Sequence, residues 1–281
     1  MTTSSDSTLS PDTTPSPDTT PSRDTTPSPD NPFGAAEVGE LYRNGRPYHH
    51  PRSLARVRAL VGDDGARVDR ALDVACGTGM STTALAEFVH SVVGLDISPE
   101  MMRVAPAAPN VSYVIGSAER MPFADGAFDA ATCSSGIHWF DQDRFYGELR
   151  RVVRPGGWIG VYDHYFSRMH DVAEFDDWVR ELFRRYPLPP RNAQVGELTS
   201  EQPDGFEILD AETFDDPIEM THGDFADYQL TISSAVAAVE RGIPRQEIRA
   251  WLLESTAPLF ANASTRVLHF IGVITCLRRL P

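Results

Sequence analysis

Two glycines and two acids hold the residues whose types and spacing could do chemistry. Gly77 and Gly79 lie between an apolar run, Ala71 to Ala75, and a helical pattern that begins at Met80. A strand that breaks into a glycine turn at a helix start presents bare backbone N–H groups and the positive helix end to a ligand. The next apolar run, Ser91 to Asp96, ends in an acid seventeen residues past Gly79. A carboxylate there can accept both hydroxyls of a ribose. Turn and acid together point to a nucleoside-containing cofactor.

The surrounding residues narrow the choice. A nicotinamide or flavin fingerprint places a third glycine where this chain has Thr82, and that glycine lets helix and strand close around a pyrophosphate. A phosphate-binding loop of the Gly-Lys-Ser/Thr type needs a lysine. The chain has none, since all 25 of its basic residues are arginine. Asp73, an acid inside the first strand and just before the turn, suits a ligand with an amino-acid tail. The glycine turn and helix end would face that tail's carboxylate, and Asp73 its ammonium. S-adenosylmethionine combines such a tail with an adenosine for Asp96. An unpaired mid-strand carboxylate is costly, so Asp73 must also have partners, for which the loop's backbone N–H groups are the alternative.

The elements that must position these residues follow from the pattern. Met80 to His90 reads as a helix, Ser98-Pro99 as an N-cap opening a short helix through Val104, and Val111 to Ile115 as a third strand. Ala127 to Cys133 is a fourth strand, and Asp141 caps a helix through Val153 with Phe145, Leu149, Val152 and Val153 at helical spacing. Pro155-Gly156-Gly157 turns into a fifth strand, Trp158 to Asp163. Further on, Val172 to Arg185, Asp224 to Arg241 and Arg245 to Phe260 read as helices. Phe206 to Phe214 reads as a sixth strand and Val267 to Leu277 as an antiparallel final one. The alternation predicts an α/β fold, Rossmann-like, with a seven-stranded, mostly parallel sheet covered by helices on both faces. Ligands in such sheets bind beyond the carboxyl ends of the strands.

Residues 1–32 repeat Ser-Pro-Asp-Thr-Thr-Pro from Ser10 and Ser16, and again from Ser22 with Arg23 in place of proline. With almost no apolar side chain, this segment is expected to be a disordered tail. It has neither the pattern of a secretion signal nor that of a transit peptide. Residues 33–281 are expected to form one domain with a helical substrate cap built from about 33–62, 165–200 and 222–262. The formal charge of −15 disfavours nucleic acid and anionic membrane surfaces as partners. No apolar run approaches the ~18 residues of a membrane span. Cys76, Cys133 and Cys276 sit far apart on apolar elements, which fits a reducing cytoplasm rather than disulfides or zinc. His49 and His50 are adjacent but have no nearby Cys, Asp or Glu set, so no metal site is expected.

The chain resembles class I S-adenosylmethionine-dependent methyltransferases, nearest the small-molecule group of the trans-aconitate and ubiquinone/menaquinone type (methyltransferase type 11-like). The likeness rests on six ordered blocks: Leu72–Gly79, Gly94–Met101, Gly116–Phe123, Phe128-Asp129, Ile137–Phe140 and Leu149–Gly157. Tyr42–Tyr48 also looks like that group's N-terminal segment. The resemblance implies methyl transfer by in-line displacement to a small organic acceptor, in a monomer or homodimer. It implies cofactor contacts at Asp73, Ala75, Gly77, Gly79 and Asp96, with Ile97 and Met101 over the adenine face and Ser117 and Ala118 beneath it. Where many members carry aspartate, this chain has Ser117, a weaker acceptor for the exocyclic amine. Tyr42 and Arg46 would approach the methionine carboxylate. Tyr48, His138 and Trp139 would shape the acceptor pocket.

His138 follows the fourth strand, and its imidazole could take a proton from a hydroxyl, thiol or acidic carbon. Base, substrate orienter and structural hydrogen-bonder all fit that position. His164, after the fifth strand, is the second catalytic candidate. Arg180, Arg184 and Arg185 read as a solvated helix face, or, if they line the cap, as a hint of an anionic substrate. Two other functions stay open. One is a cofactor-binding regulatory protein without turnover. The other is a different reaction on the same fold, such as propylamine transfer or methylation of a protein.

Overall fold

The computed structural model describes residues 38–61, 68–169, 172–190, 202–261 and 263–281. The tail expected over residues 1–32 lies outside them, as do parts of the expected cap segments. The seven strands are β1 (Val68–Val74), β2 (Val89–Asp96), β3 (Val111–Ile115), β4 (Phe128–Ser134), β5 (Val153–Arg168), β6 (Phe206–Thr221) and β7 (Thr265–Arg279). They form one sheet in the order β3-β2-β1-β4-β5-β7-β6. The pairs from β3 to β5 are parallel, and only β7 runs antiparallel to its neighbours. β7 therefore does not close an edge; it inserts between β5 and β6.

Strand parity assigns the two faces. Leu72, Val74, Val93, Leu95, Ala131 and Cys133 share a core with Phe145, Leu149 and Val152 of helix α5 (Gln142–Val152). Ala71, Val92, Ala130 and Tyr162 point the other way. They pack with Leu54 and Val57 of α2 (His50–Leu60), which follows the first helix, α1 (Val38–Gly45), and with Ala84 and Leu85 of α3 (Met80–Ala86). Strands buried on both faces have to be apolar at successive positions, which is why these runs do not alternate.

Several element bounds depart from expectation. α3 ends at Ala86 and β2 begins at Val89, so part of the expected first helix belongs to the strand. The short helix α4 (Pro99–Met102) is capped by the Ser98 side chain on the Met101 N–H and stops before Val104. Asp141 caps α5 as expected, accepting from the Arg144 N–H. The Pro155-Gly156-Gly157 segment lies inside β5. There the register jumps from Phe128↔Val153 to Ala130↔Trp158, so the prolyl and glycyl residues form an irregularity rather than a turn. The helix expected over 224–241 is two helices, α7 (His222–Gln229) and α8 (Ser233–Glu240). The Thr231 hydroxyl bonds back to the Tyr228 carbonyl at the break.

β5 and β7 continue past the sheet body, pairing as far as Arg168↔His269. This extension carries a second core, in which Phe166 and Phe270 meet Phe175 and Trp178 of α6 (Phe175–Arg185) and Phe225 and Tyr228 of α7. Helix α9 (Arg245–Phe260) completes it through Ile248, Leu252 and Phe260. Arg180 and Arg184 face solvent, paired with Asp177 and Glu181 of the same helix. Among the described residues no helix is long and apolar enough to cross a membrane.

Candidate functional site

The turn after β1 is made by residues in left-handed backbone. Ala75, Gly77 and Gly79 have φ of 56°, 51° and 75°. Glycine adopts this region freely, whereas alanine does so at a cost of roughly 1–2 kcal/mol. Ala75 therefore bears strain just where the chain leaves the sheet. Its methyl group occupies space left by Gly136, where an added Cβ would stand 2.7 Å from it. Gly79 is the N-cap of α3 and its N–H donates to the Cys76 carbonyl at 2.8 Å. An added Cβ there would run into the Tyr113 hydroxyl.

Asp96 closes β2 beside this turn. One of its oxygens accepts from the Gly77 N–H at 2.7 Å and the other from the Ser98 N–H at 2.8 Å. Burial raises its pKa, and these two amides work against the rise. Each oxygen keeps a lone pair for a further donor.

Asp73 is a correction to the expectation. Odd residues of β1 face α3, so its carboxylate points under that helix and not into the cleft. There it accepts from Ser81 Oγ and Thr82 Oγ1 at 2.6 Å each and from Thr132 Oγ1 at 2.9 Å. Its partners are three side-chain hydroxyls, neither loop amides nor an open ligand position. Burial raises its pKa, with the three hydroxyls opposing. Asp73 ties the turn, the helix start and β4 together.

A cavity of about 550 Å³ opens at the carboxyl ends of the strands. One end, over β1 to β3, is lined by Ala75, Gly77, Asp96, Ile97, Met101, Ser117 and Ala118. The Ser117 hydroxyl already accepts from the Glu119 N–H at 3.1 Å. Glu119 also lines the cavity, and its carboxylate holds the Asp141 N–H at 2.8 Å. The other end, over β4 and β5, is lined by Tyr42, Arg46, His49, His50, Ser135, Trp139, Phe140, His164 and Tyr228. Arg46 sits 4.8 Å from the Tyr42 ring centre and 5.2 Å from that of Tyr228, and it donates to the Thr231 carbonyl. Burial pulls its pKa down, but Tyr42, Tyr228 and Asp163 outweigh that and leave it raised.

Besides Asp73, three expected site residues lie off this lining. Gly79 acts through the turn. Tyr48 is 53% exposed, its ring edge against His50. His138 is buried in a single 3-10 turn, Ile137–Trp139, next to the Trp139 ring. That turn places Trp139 on the cavity lining, which does not include His138, whereas the second histidine candidate, His164, lines it.

The end over β4 and β5 also holds residues that the sequence reading did not place in the site. His49 stacks on His164 with ring centres 4.1 Å apart and planes 9° apart, and His50 Nδ1 meets the Tyr162 hydroxyl at 3.1 Å. His164 Nε2 lies 3.0 Å from Asp216 Oδ2, and the other oxygen of Asp216 is ion-paired with Arg52. Ser135, at φ 53°, donates its hydroxyl to Asp163 at 2.7 Å. Burial, His164 and Arg46 push His50 down to about 3. Burial, Arg46 and Arg52 push His164 down to about 4. Burial, His50, His164 and Arg46 hold His49 well below the usual imidazole range. These shifts all favour the neutral form of the ring. A signal for Asp216 existed: it shares the parity of Phe214, Ile218 and Met220 in an alternating strand.

Comparison with known proteins places these elements in context. The family described as a methyltransferase domain matches residues 72–161, from inside β1 into β5. An uncharacterized methyltransferase of Mycobacterium tuberculosis is 38% identical over 152 residues, covering 53% of this chain and 56% of that protein. The chain thus spans little more than half the length of that relative. The uncharacterized methyltransferase YcgJ of Bacillus subtilis is 31% identical over 176 residues, covering 60% of this chain and 67% of the other. A solved structure from Anaeromyxobacter dehalogenans, described as a type II methyltransferase, is similar with a TM-score of 0.62 at 29% identity. It covers 81% of this chain and 96% of its own.

Proposed function

Because this chain belongs to the methyltransferase family, we propose that it transfers a methyl group from S-adenosylmethionine to a small organic acceptor by in-line displacement. The observation that carries the reading is the joining of a left-handed glycine turn, a second-strand acid and a separate aromatic and histidine-lined end in one cavity. A cavity of several hundred Å³ is the size that small ligands occupy.

The residues fit the cofactor. Asp96, fixed by two backbone amides, has acceptor capacity left for ribose hydroxyls. Ile97, Met101 and Ala118 offer apolar surface for adenine, and the Ser117 hydroxyl can contribute a hydrogen bond. The turn at Ala75 to Gly77 and the Arg46 guanidinium suit the amino-acid tail, Arg46 as the cation opposite its carboxylate. Bound there, S-adenosylmethionine would supply an electrophilic methyl carbon on a sulfonium. The chain's own work is then to align the acceptor and exclude water. Tyr42, Trp139, Phe140 and Tyr228 provide flat walls for that purpose. On this reading residues 33–281 act as one catalytic domain, with the helices over β5 to β7 as cap. Titration calorimetry with S-adenosylhomocysteine tests it: the wild-type chain binds and Asp96→Ala does not.

A further inference from the structure

The acceptor end of the cavity contains a hydrogen-bonded group that binding of the cofactor does not use. His164 is held on three sides. His49 stacks on one face, and Phe270 lies parallel on the other, 5.1 Å between ring centres and 9° between planes. Its Nε2 meets the Asp216 carboxylate at 3.0 Å, and Asp216 is in turn paired with Arg52 of α2. A carboxylate accepts only, so Nε2 carries the ring proton and Nδ1 carries the lone pair. Nδ1 makes no hydrogen bond among the described residues, and the ring lines the cavity.

Beyond methyl transfer as such, and resting on that reading, we propose that His164 is a catalytic base for acceptors bearing a weakly acidic hydroxyl on a planar ring, a phenol or enol. Asp216 is its positioning residue. As the acceptor oxygen forms its bond to the methyl carbon, the carbon–sulfur bond breaks and its electron pair goes to sulfur. The hydroxyl proton moves to His164 Nδ1. The imidazolium that results shares its charge with Asp216 across Nε2.

The choice of nucleophile follows from the proton acceptor that the ring presents. Arg46, in the segment before α2, and Arg52 of α2 act on His164, and burial favours the neutral form of His49 and His50 beside them. Asp163 and Asp216 come from β5 and β6, and Tyr228 from α7. A neutral hydroxyl has to lose its proton as it attacks, and the unprotonated Nδ1 is an acceptor for it. The rings of Tyr42, Trp139, Phe140 and Tyr228 favour a flat partner. Because His164 is pushed down to about 4, its lone pair is available throughout the neutral range.

The experiment compares wild type, His164→Gln and Asp216→Asn on a series of ring-substituted phenols, from weakly acidic phenol to nitrophenols already ionised at neutral pH. For the weakly acidic members, kcat in His164→Gln falls by roughly 10²–10⁴-fold, the usual share of a general base. The ionised nitrophenols lose far less. Calorimetry shows S-adenosylhomocysteine affinity unchanged in both variants. Nitrogen NMR on histidine-labelled full chain finds the Nε2–H form at His164, and Asp216→Asn mixes the two tautomers. An equal loss across the whole phenol series overturns the inference, as does a tautomer indifferent to Asp216. Cofactor binding without His164-dependent methylation of any hydroxyl overturns it alone. A wild-type chain that fails to bind the cofactor overturns the methyl-transfer reading as well.

Discussion

Replacing Thr132 by valine separates two roles for Asp73. The substitution keeps the branched shape of a residue 1% exposed and removes only the hydroxyl that donates to Asp73 Oδ1 at 2.9 Å. No cavity forms, so the loss is that of one hydrogen bond to a buried carboxylate, about 2 kcal/mol. For a domain of this size that corresponds to a Tm lower by about 4–8 °C. The penalty also has a pH signature. The folded Asp73 pKa is already raised by burial against the hydroxyls, and losing one of them raises it further. A carboxyl with a raised folded pKa adds stability below its unfolded pKa, and that stability is lost as pH rises through the folded value. The Thr132→Val deficit is therefore largest at neutral pH and shrinks in acid. Urea unfolding of wild type and variant at several pH values measures it, with S-adenosylhomocysteine titrations alongside. A variant as stable as wild type but deficient in cofactor affinity would refute the structural role assigned to Asp73.

The strained turn predicts a coupled pair. Gly136→Ala places a methyl 2.7 Å from the Ala75 Cβ and 3.2 Å from Cys133 Sγ, so it destabilises. Ala75→Gly removes the first of those collisions and part of the penalty, with a coupling of roughly 1 kcal/mol in a double-mutant cycle by denaturant melts. The histidine cluster predicts sensitivity to acid. His50 at about 3 and His164 at about 4 refuse protons that the unfolded chain takes up near pH 6.5. Their share of stability is complete above the unfolded pKa and falls as pH drops toward the folded values. The slope is up to about 1.4 kcal/mol per pH unit for each ring. His50→Gln should flatten the curve of unfolding free energy between pH 7 and 5.

The end of the cavity proposed for the cofactor was legible because its signals are local. A glycine turn between strand and helix, and an acid at the end of the next strand, are read from spacing alone. Asp96, Ile97, Met101, Ser117 and Ala118 accordingly line one end of the cavity. Asp73 was misread although strand parity could have settled it, since it shares a face with Ala71 and not with Leu72 and Val74. The end proposed for the acceptor depends on distant segments. His164 meets Asp216 across 52 positions, and His50 meets Tyr162 across 112. No spacing rule joins residues so far apart. The insertion of β7 between β5 and β6, which brings Asp216 within reach, is a property of topology. His138 shows the converse limit: its position after β4 was clear, but in the 3-10 turn there it is Trp139 and not His138 that joins the cavity lining.

The account stands most directly on calorimetric titration of the full chain with S-adenosylhomocysteine and with S-adenosylmethionine. It predicts saturable 1:1 binding of each in the wild type, competition between the two, and loss of both heats in Asp96→Ala. Wild-type protein that binds neither compound, or an Asp96→Ala chain that binds both as tightly as wild type, would contradict it.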